Sequence, residues 1–117
     1  MTGQLDSMVS IAAGTTLTGS GKVGHVIANA GTSWHRPFAE LSAEEFDRCV
    51  RDNLYSTFHI VRAAWPSMAA ARHGRIVTTS SGGIFGIEGR AHYVAAKGGV
   101  LAMTRTLALE GREVGIA

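Results

Sequence analysis

The chain has 117 residues, enough for one small domain and too few for two. Hydrophobic residues make up 45% and charged residues 17%, a balance that supports a buried core and excludes a disordered tail. Eleven Lys and Arg face nine Asp and Glu, a net charge of +2, and the arginines are scattered, so nothing points to a nucleic-acid partner. The single cysteine, Cys49, cannot form an intrachain disulfide and fits a reducing compartment, taken here as the cytoplasm. No stretch reaches the roughly 18 apolar residues of a membrane span. Residues 1–10 lack the basic and apolar regions of a signal peptide, so no membrane partner is expected.

In chain order, Leu5, Met8, Val9 and Ala12 fall at helical spacing and predict a short amphipathic helix over 4–13. Gly14 to Gly24 is a Gly/Thr/Ser-rich connection. His25-Val26-Ile27-Ala28 reads as a buried strand ending in the turn Asn29-Ala30-Gly31. Ser42 with Glu45 three residues on forms a capping box. A long helical stretch follows to about Ala71, with Phe46, Cys49, Val50, Leu54, Phe58, Val61 and Trp65 on its apolar face. Pro66 and the residues near Asn53 predict that it is kinked or divided. His73-Gly74 is a stop signal, and Arg75 to Thr79 is a second strand. Ser80 to Gly89 is a Gly-rich loop, and a last helix runs from about Ala91 to Glu110. Val94, Val100, Leu101, Leu107 and Leu109 are its candidate core positions. Strands separated by long helices are parallel neighbours with helical crossovers, which gives an α/β class. Two strands are a poor sheet by themselves, so the chain reads as part of a larger one.

Four features gather where open parallel sheets bind ligands, at the carboxyl ends of the strands. They are Asn29-Ala30-Gly31, Asn53, Ser80-Ser81 and Tyr93-Val94-Ala95-Ala96-Lys97. Tyr93 and Lys97 stand four residues apart on one helix face. An ammonium near a phenol favours the phenolate, which suits the tyrosine to proton transfer near neutral pH. A serine hydroxyl can hold an oxygen on which charge develops. An asparagine can position a water behind the lysine for proton exchange.

These residues, in this order, resemble the central portion of a short-chain dehydrogenase/reductase. The family's Asn-Asn-Ala-Gly stretch stands here as Ala28-Asn29-Ala30-Gly31, with its first Asn replaced. Its helix asparagine stands in Arg51-Asp52-Asn53-Leu54, its strand and serine in Gly74 to Ser81, and its Tyr-x-x-x-Lys in Tyr93 to Lys97. The resemblance implies hydride transfer between NAD or NADP and a small alcohol/ketone pair. Tyr93 would be the general acid/base, Lys97 its modulator and ribose ligand, Ser81 the carbonyl-orienting group and Asn53 the proton relay. Asn29, Ala30, Gly31, Tyr93 and Lys97 would line the cofactor site. Counting back from Tyr93 by the family spacing lands on Ser80, whereas alignment from the strand lands on Ser81, which is preferred because the strand fixes the side-chain direction. Thr78 to Ser81 and Ala108 to Arg112 suggest a 3-oxoacyl or 3-hydroxyacyl thioester substrate.

The family's N-terminal Thr-Gly-x-x-x-Gly-x-Gly turn and its closing Pro-Gly segment are not found. The chain is therefore expected to be a single incomplete NAD(P)-binding domain over 1–117. Its fold would be a partial Rossmann-like, doubly wound parallel sheet lacking the first βαβ unit and the last strands. The alternative is a non-catalytic remnant or half-domain that acts by pairing with another chain. Gly19-x-Gly21-x-x-Gly24 matches a dinucleotide fingerprint in letters, but it precedes a strand instead of a helix and reads as a connector. The histidines show no metal-ligand spacing, so no metal is expected. His25, His59 and His73 read as packing or surface residues; His35 and His92 lie near enough the site to touch substrate, though packing is the leading reading for them as well. Cys49 reads as core. The stripe around Ala63, Ala64, Trp65 and Met68 reads as helix packing, or as a homo-oligomer interface of the kind the resemblance implies.

Overall fold

The computed structural model describes the backbone of residues 8–10 and all of residues 23–117. The strands are β1 (Met8–Ser10), β2 (His25–Ala28) and β3 (Arg75–Thr78), in spatial order β1-β2-β3, all parallel. The register sets Val9 beside Val26, Val26 beside Ile76, and Ala28 beside Thr78. The helices are α1 (Ala43–Val50), α2 (Ser56–Ala71) and α3 (Ala91–Arg112). This is a partial Rossmann-like α/β arrangement.

β1 corrects one expectation: Met8–Ser10 is a strand, not part of a helix. A short apolar run is ambiguous in period, and here pairing with β2 supplies the backbone hydrogen bonds that a helix would have made internally. The rest of that predicted helix, most of the Gly14 to Gly24 connection, and Gly19 and Gly21 of the fingerprint lie outside the described residues.

α1 begins as its capping box dictates. Ser42 Oγ accepts from the Glu45 amide at 3.1 Å, and Glu45 Oε2 accepts from the Ser42 amide at 3.2 Å. The long helical stretch is divided at Asn53, by a π-helical turn over Arg51–Tyr55, and not at Pro66, which lies within α2. Pro66 and Arg62, whose carbonyl loses its donor there, are both exposed, so water can take the place of that bond. α2 ends at Ala71 with Arg72 in the left-handed region (φ 51°), two residues before the expected glycine. Gly74 is needed for another reason: a Cβ there would lie 2.5 Å from Met68 Sδ.

The core joins one face of the sheet to α2 and α3. Val26 and Ala28 pack with Ile60, Val61, Ala64 and Met68, and Leu107 closes the cluster from α3. On the other face Ile27 and Val77 are exposed. Of the expected apolar positions Cys49, Val61 and Val100 are buried, whereas Phe46, Phe58 and Leu109 are exposed. After α3 the chain returns along β3. Gly74 and Ile116 form a parallel bridge, and the Ile76 amide donates to Ala117 O at 2.8 Å. Pairing of the segment after α3 with β3 thus begins here.

Candidate active site

The carboxyl ends of β2 and β3 carry the site. Thr79 donates its amide to Ala28 O at 3.2 Å, which keeps the two strand ends together one residue past the ladder. Lys97 rises from α3 against this edge and donates from Nζ to Thr79 O at 3.0 Å. It is buried, and no carboxylate pairs with it among the described residues. Burial pushes its pKa down, opposed only weakly by the nearby Cys49. Nζ stands 5.9 Å from the centroid of the Tyr93 ring.

Asn53 comes to the same place through the π turn. Widening the helix leaves the Ser56 amide bonded to Arg51 O. The carbonyls of Asp52 and Asn53 are then taken by the hydroxyls of Ser56 (2.6 Å) and Thr57 (3.2 Å). Asn53 Nδ2 donates to Thr32 O at 2.8 Å and Cys49 O at 2.9 Å, with Cys49 Sγ at 3.4 Å. Those contacts turn Oδ1 the other way, where it is buried and has no hydrogen-bond partner among the described residues. Gly31 closes the group. A Cβ there would lie 2.3 Å from Asn53 Oδ1 and 3.5 Å from Lys97 Nζ, so only glycine leaves the three in apposition.

The two candidate serines spend their hydroxyls differently. Ser80 Oγ donates to Lys97 O at 2.8 Å, so its proton is engaged. Ser81 Oγ accepts from the Gly83 amide at 3.1 Å and caps a 3-10 turn over Gly82–Phe85, leaving its own proton free to donate. Asn29 and Ala30 follow directly on β2, at the mouth of the same edge.

Sequence reasoning missed the supporting groups. Ser56 and Thr57 follow Asp52 and Asn53 by four residues, and that i, i+4 hydroxyl spacing is the signal that could have found them. Thr79 acts through its carbonyl, which side-chain patterns do not report. His92 takes the packing role: it is fully buried and its ring lies 4.7 Å from that of Trp34. His25 and His73 meet edge-on at 6.2 Å. Among the described residues no group of three His, Cys, Asp or Glu could hold a metal, and no helix is long and apolar enough to cross a membrane.

The family model for short chain dehydrogenase matches residues 3–117. The chain belongs to the short chain dehydrogenase family. It is 43% identical over 100 residues to the mouse protein named peroxisomal multifunctional enzyme type 2, covering 85% of this chain and 14% of that protein. It is 32% identical over 117 residues to the (5R,7aS)-5-hydroxy-7a-methyl-1-oxo-2,3,5,6,7,7a-hexahydro-1H-indene-carboxyl-CoA reductase of Mycobacterium tuberculosis, covering 98% of this chain and 43% of that one. The crystal structure of a Burkholderia thailandensis oxidoreductase of the same family superposes with a TM-score of 0.76 at 28% identity, over 81% of this chain and 37% of the other. The chain therefore spans less than half the length of each of these proteins.

Proposed function

We propose that this chain carries the proton-transfer and nicotinamide-side half of an NAD(P)-dependent oxidoreductase acting on an alcohol/carbonyl pair. The observation that supports it best is the convergence of the buried, carboxylate-free Lys97 ammonium, the unpartnered Asn53 Oδ1 and the Gly31 backbone beside the Tyr93 ring. An uncompensated buried cation and an orphaned acceptor fit the hydroxyl-rich ribose of a nicotinamide nucleotide, with Asn29 to Gly31 as its floor.

Bound there, the nucleotide would supply or accept the hydride. The chain's residues do the rest. In the reducing direction Ser81 donates its free proton in a hydrogen bond to the substrate carbonyl oxygen. Tyr93 gives its phenolic proton to that oxygen as the alcohol forms. Lys97 offsets the charge that develops on the phenolate, and its two N–H groups not spent on Thr79 O would be available to the ribose hydroxyls. A water accepted by Asn53 Oδ1 returns a proton toward Tyr93. The carboxyl-CoA reductase named among the relatives favours a thioester-bearing substrate. The lone cysteine supports a reducing compartment such as the cytoplasm. A groove of about 730 Å³ between α2 and α3, walled by Phe58, Trp65, Pro66, Met103 and Leu107, is the proposed seat of a second copy. A monomer mass in sedimentation would remove that assignment.

The test is titration of the chain with NADH and NADPH, read by nicotinamide fluorescence. Saturable binding that Lys97→Met weakens is expected. A folded chain that binds neither nucleotide would overturn the proposal and leave the remnant reading.

A further inference from the structure

Residues 31–36 follow the Asn29–Gly31 turn and are gripped from three sides. From the π turn, Asn53 holds Thr32 O, and Asp52 accepts from Thr32 Oγ1 at 2.8 Å. From α1, Glu45 pairs with Arg36 at 2.9 Å, and the Arg48 guanidinium lies 5.5 Å from the centre of the Trp34 ring. From the start of α3, Gly89 O accepts from the Arg36 amide at 2.8 Å, Arg90 donates to Ser33 Oγ, and His92 stacks obliquely on Trp34. His35 sits over Gly89, where a Cβ would lie 2.2 Å from its Nε2. His92, which meets Trp34 here, directly precedes Tyr93.

His92 is an odd choice for that position. It is fully exposed to neither water nor partner: its accessibility is 0%, and neither ring nitrogen makes a hydrogen bond among the described residues. A phenylalanine or leucine would fill the space without that desolvation cost. The charged groups facing the ring are Glu45, which favours an imidazolium, and Arg36 and Arg90, which oppose it. Arg48 lies over Trp34 and is shared with Asp52 at 3.8 Å. A buried imidazolium would thus face one carboxylate, itself paired with Arg36, and two guanidiniums, with neither ring nitrogen hydrogen-bonded among the described residues.

We infer that His92 is a positioning residue that locks Trp34, in the segment after Gly31, onto the helix carrying Tyr93 and Lys97, and that the lock holds only while its imidazole is neutral. Protonation drives the ring toward water, breaks the stack on Trp34 and releases that indole, while the bonds at Thr32, Ser33 and Arg36 remain. The lock stands on these contacts alone; its consequence for turnover rests on the function proposed above. Burial also holds the His92 pKa below the ordinary histidine value, with the Trp34 main chain near enough to oppose the shift without making a bond of good geometry.

The test uses the 117-residue chain with Trp65→Phe, which leaves Trp34 as its one indole. Trp34 emission and far-UV circular dichroism are followed together from about pH 8 to about pH 4.5. The expected result is a one-proton change in emission with a midpoint below about 6.5, at constant helicity, that vanishes in His92→Phe. Proton NMR titration of the histidine rings in the chain without substitution at 92 gives the same midpoint independently. An emission change that persists in His92→Phe, that coincides with loss of helicity, or that no histidine resonance matches would overturn the inference. Nucleotide binding is a separate readout. A working lock in a chain that binds no nucleotide would sink the proposed function and leave the lock standing.

Discussion

Gly31 and Asn53 meet so closely that a methyl group on Gly31 would lie 2.3 Å from Asn53 Oδ1. The amide cannot step aside cheaply, because its nitrogen is tied to Thr32 O and Cys49 O. Gly31→Ala should therefore cost about 1–3 kcal/mol of stability, as overpacking does. It should also abolish nucleotide binding, since the methyl occupies the space shared by Asn53 and Lys97. Urea unfolding and nicotinamide fluorescence check the two halves, and an alanine variant that binds like the parent would place the nucleotide elsewhere.

Ser80 and Ser81 should separate in function because their hydroxyls point to different work. Ser81→Ala removes a donor aimed at the reacting oxygen and should lower turnover about 100-fold or more, with about 1 kcal/mol lost from the cap on the Gly83 amide. Ser80→Ala removes a bond to Lys97 O and should cost about 1 kcal/mol while leaving most of the turnover. Steady-state reduction of an acetoacetyl thioester by both variants decides the assignment. The reverse pattern would move the catalytic role to Ser80.

Local signals explain what could be read from sequence. The start of α1 was legible because a capping box is a contact between residues three apart, and β2 and β3 because their apolar runs end in turn residues. The π turn was legible only as a disturbance near Asn53. There the Asn53 amide is held by Thr32 O, 21 positions away, a contact that no periodicity records. β1 was misread because three residues contain too little of a period to tell strand from helix. The site residues were visible as types in order, and Ser80 and Ser81 were not distinguishable until their hydrogen-bond partners were known. His92 lies next to Tyr93 in sequence, yet neighbours on a helix point in different directions, and it turns into the protein.

Glu45 should make stability fall on the acid side. Its pKa is held down by the Ser42 amide of the capping box, with the Arg36 guanidinium adding to the effect. A carboxyl whose folded pKa lies below its unfolded one contributes in full above the unfolded value, about 4.3, and loses that contribution as pH falls through the folded value. Urea midpoints measured from neutral pH into this acid range should drop less in Glu45→Gln than in the parent. Equal slopes for the two proteins would show that the cap carries no charge dependence.

Lys97 should be a site where function opposes stability. Lys97 is 4% exposed, and its ammonium pairs with no carboxylate among the described residues. Lys97→Met keeps the length of the side chain and removes the buried charge, a change of the kind that is often stabilising by about 1–4 kcal/mol. Thr79 O loses its donor in exchange, so a net gain of about 1 kcal/mol is expected. Thermal unfolding should move up while nucleotide binding is lost. A destabilised variant would mean that the Lys97–Thr79 bond outweighs the cost of burying the charge.

Gly115 should be the residue on which the returning strand depends. Its φ is +79°, in the region that L side chains rarely adopt, and a Cβ would lie 2.1 Å from Arg72 O. That carbonyl belongs to the left-handed residue that ends α2, so the two tight positions back onto each other. Relief would have to come from moving main chain, and with it the Gly74 to Gly115 hydrogen bond and the buried Ile116. Gly115→Ala should cost about 2 kcal/mol or more, from backbone strain together with loss of the Ile116 contacts. Amide exchange should show the protection of Ile76 and Ala117 falling first, because those amides close the pairing with β3. Unchanged protection at both would mean that the return strand is held by Ile116 burial alone.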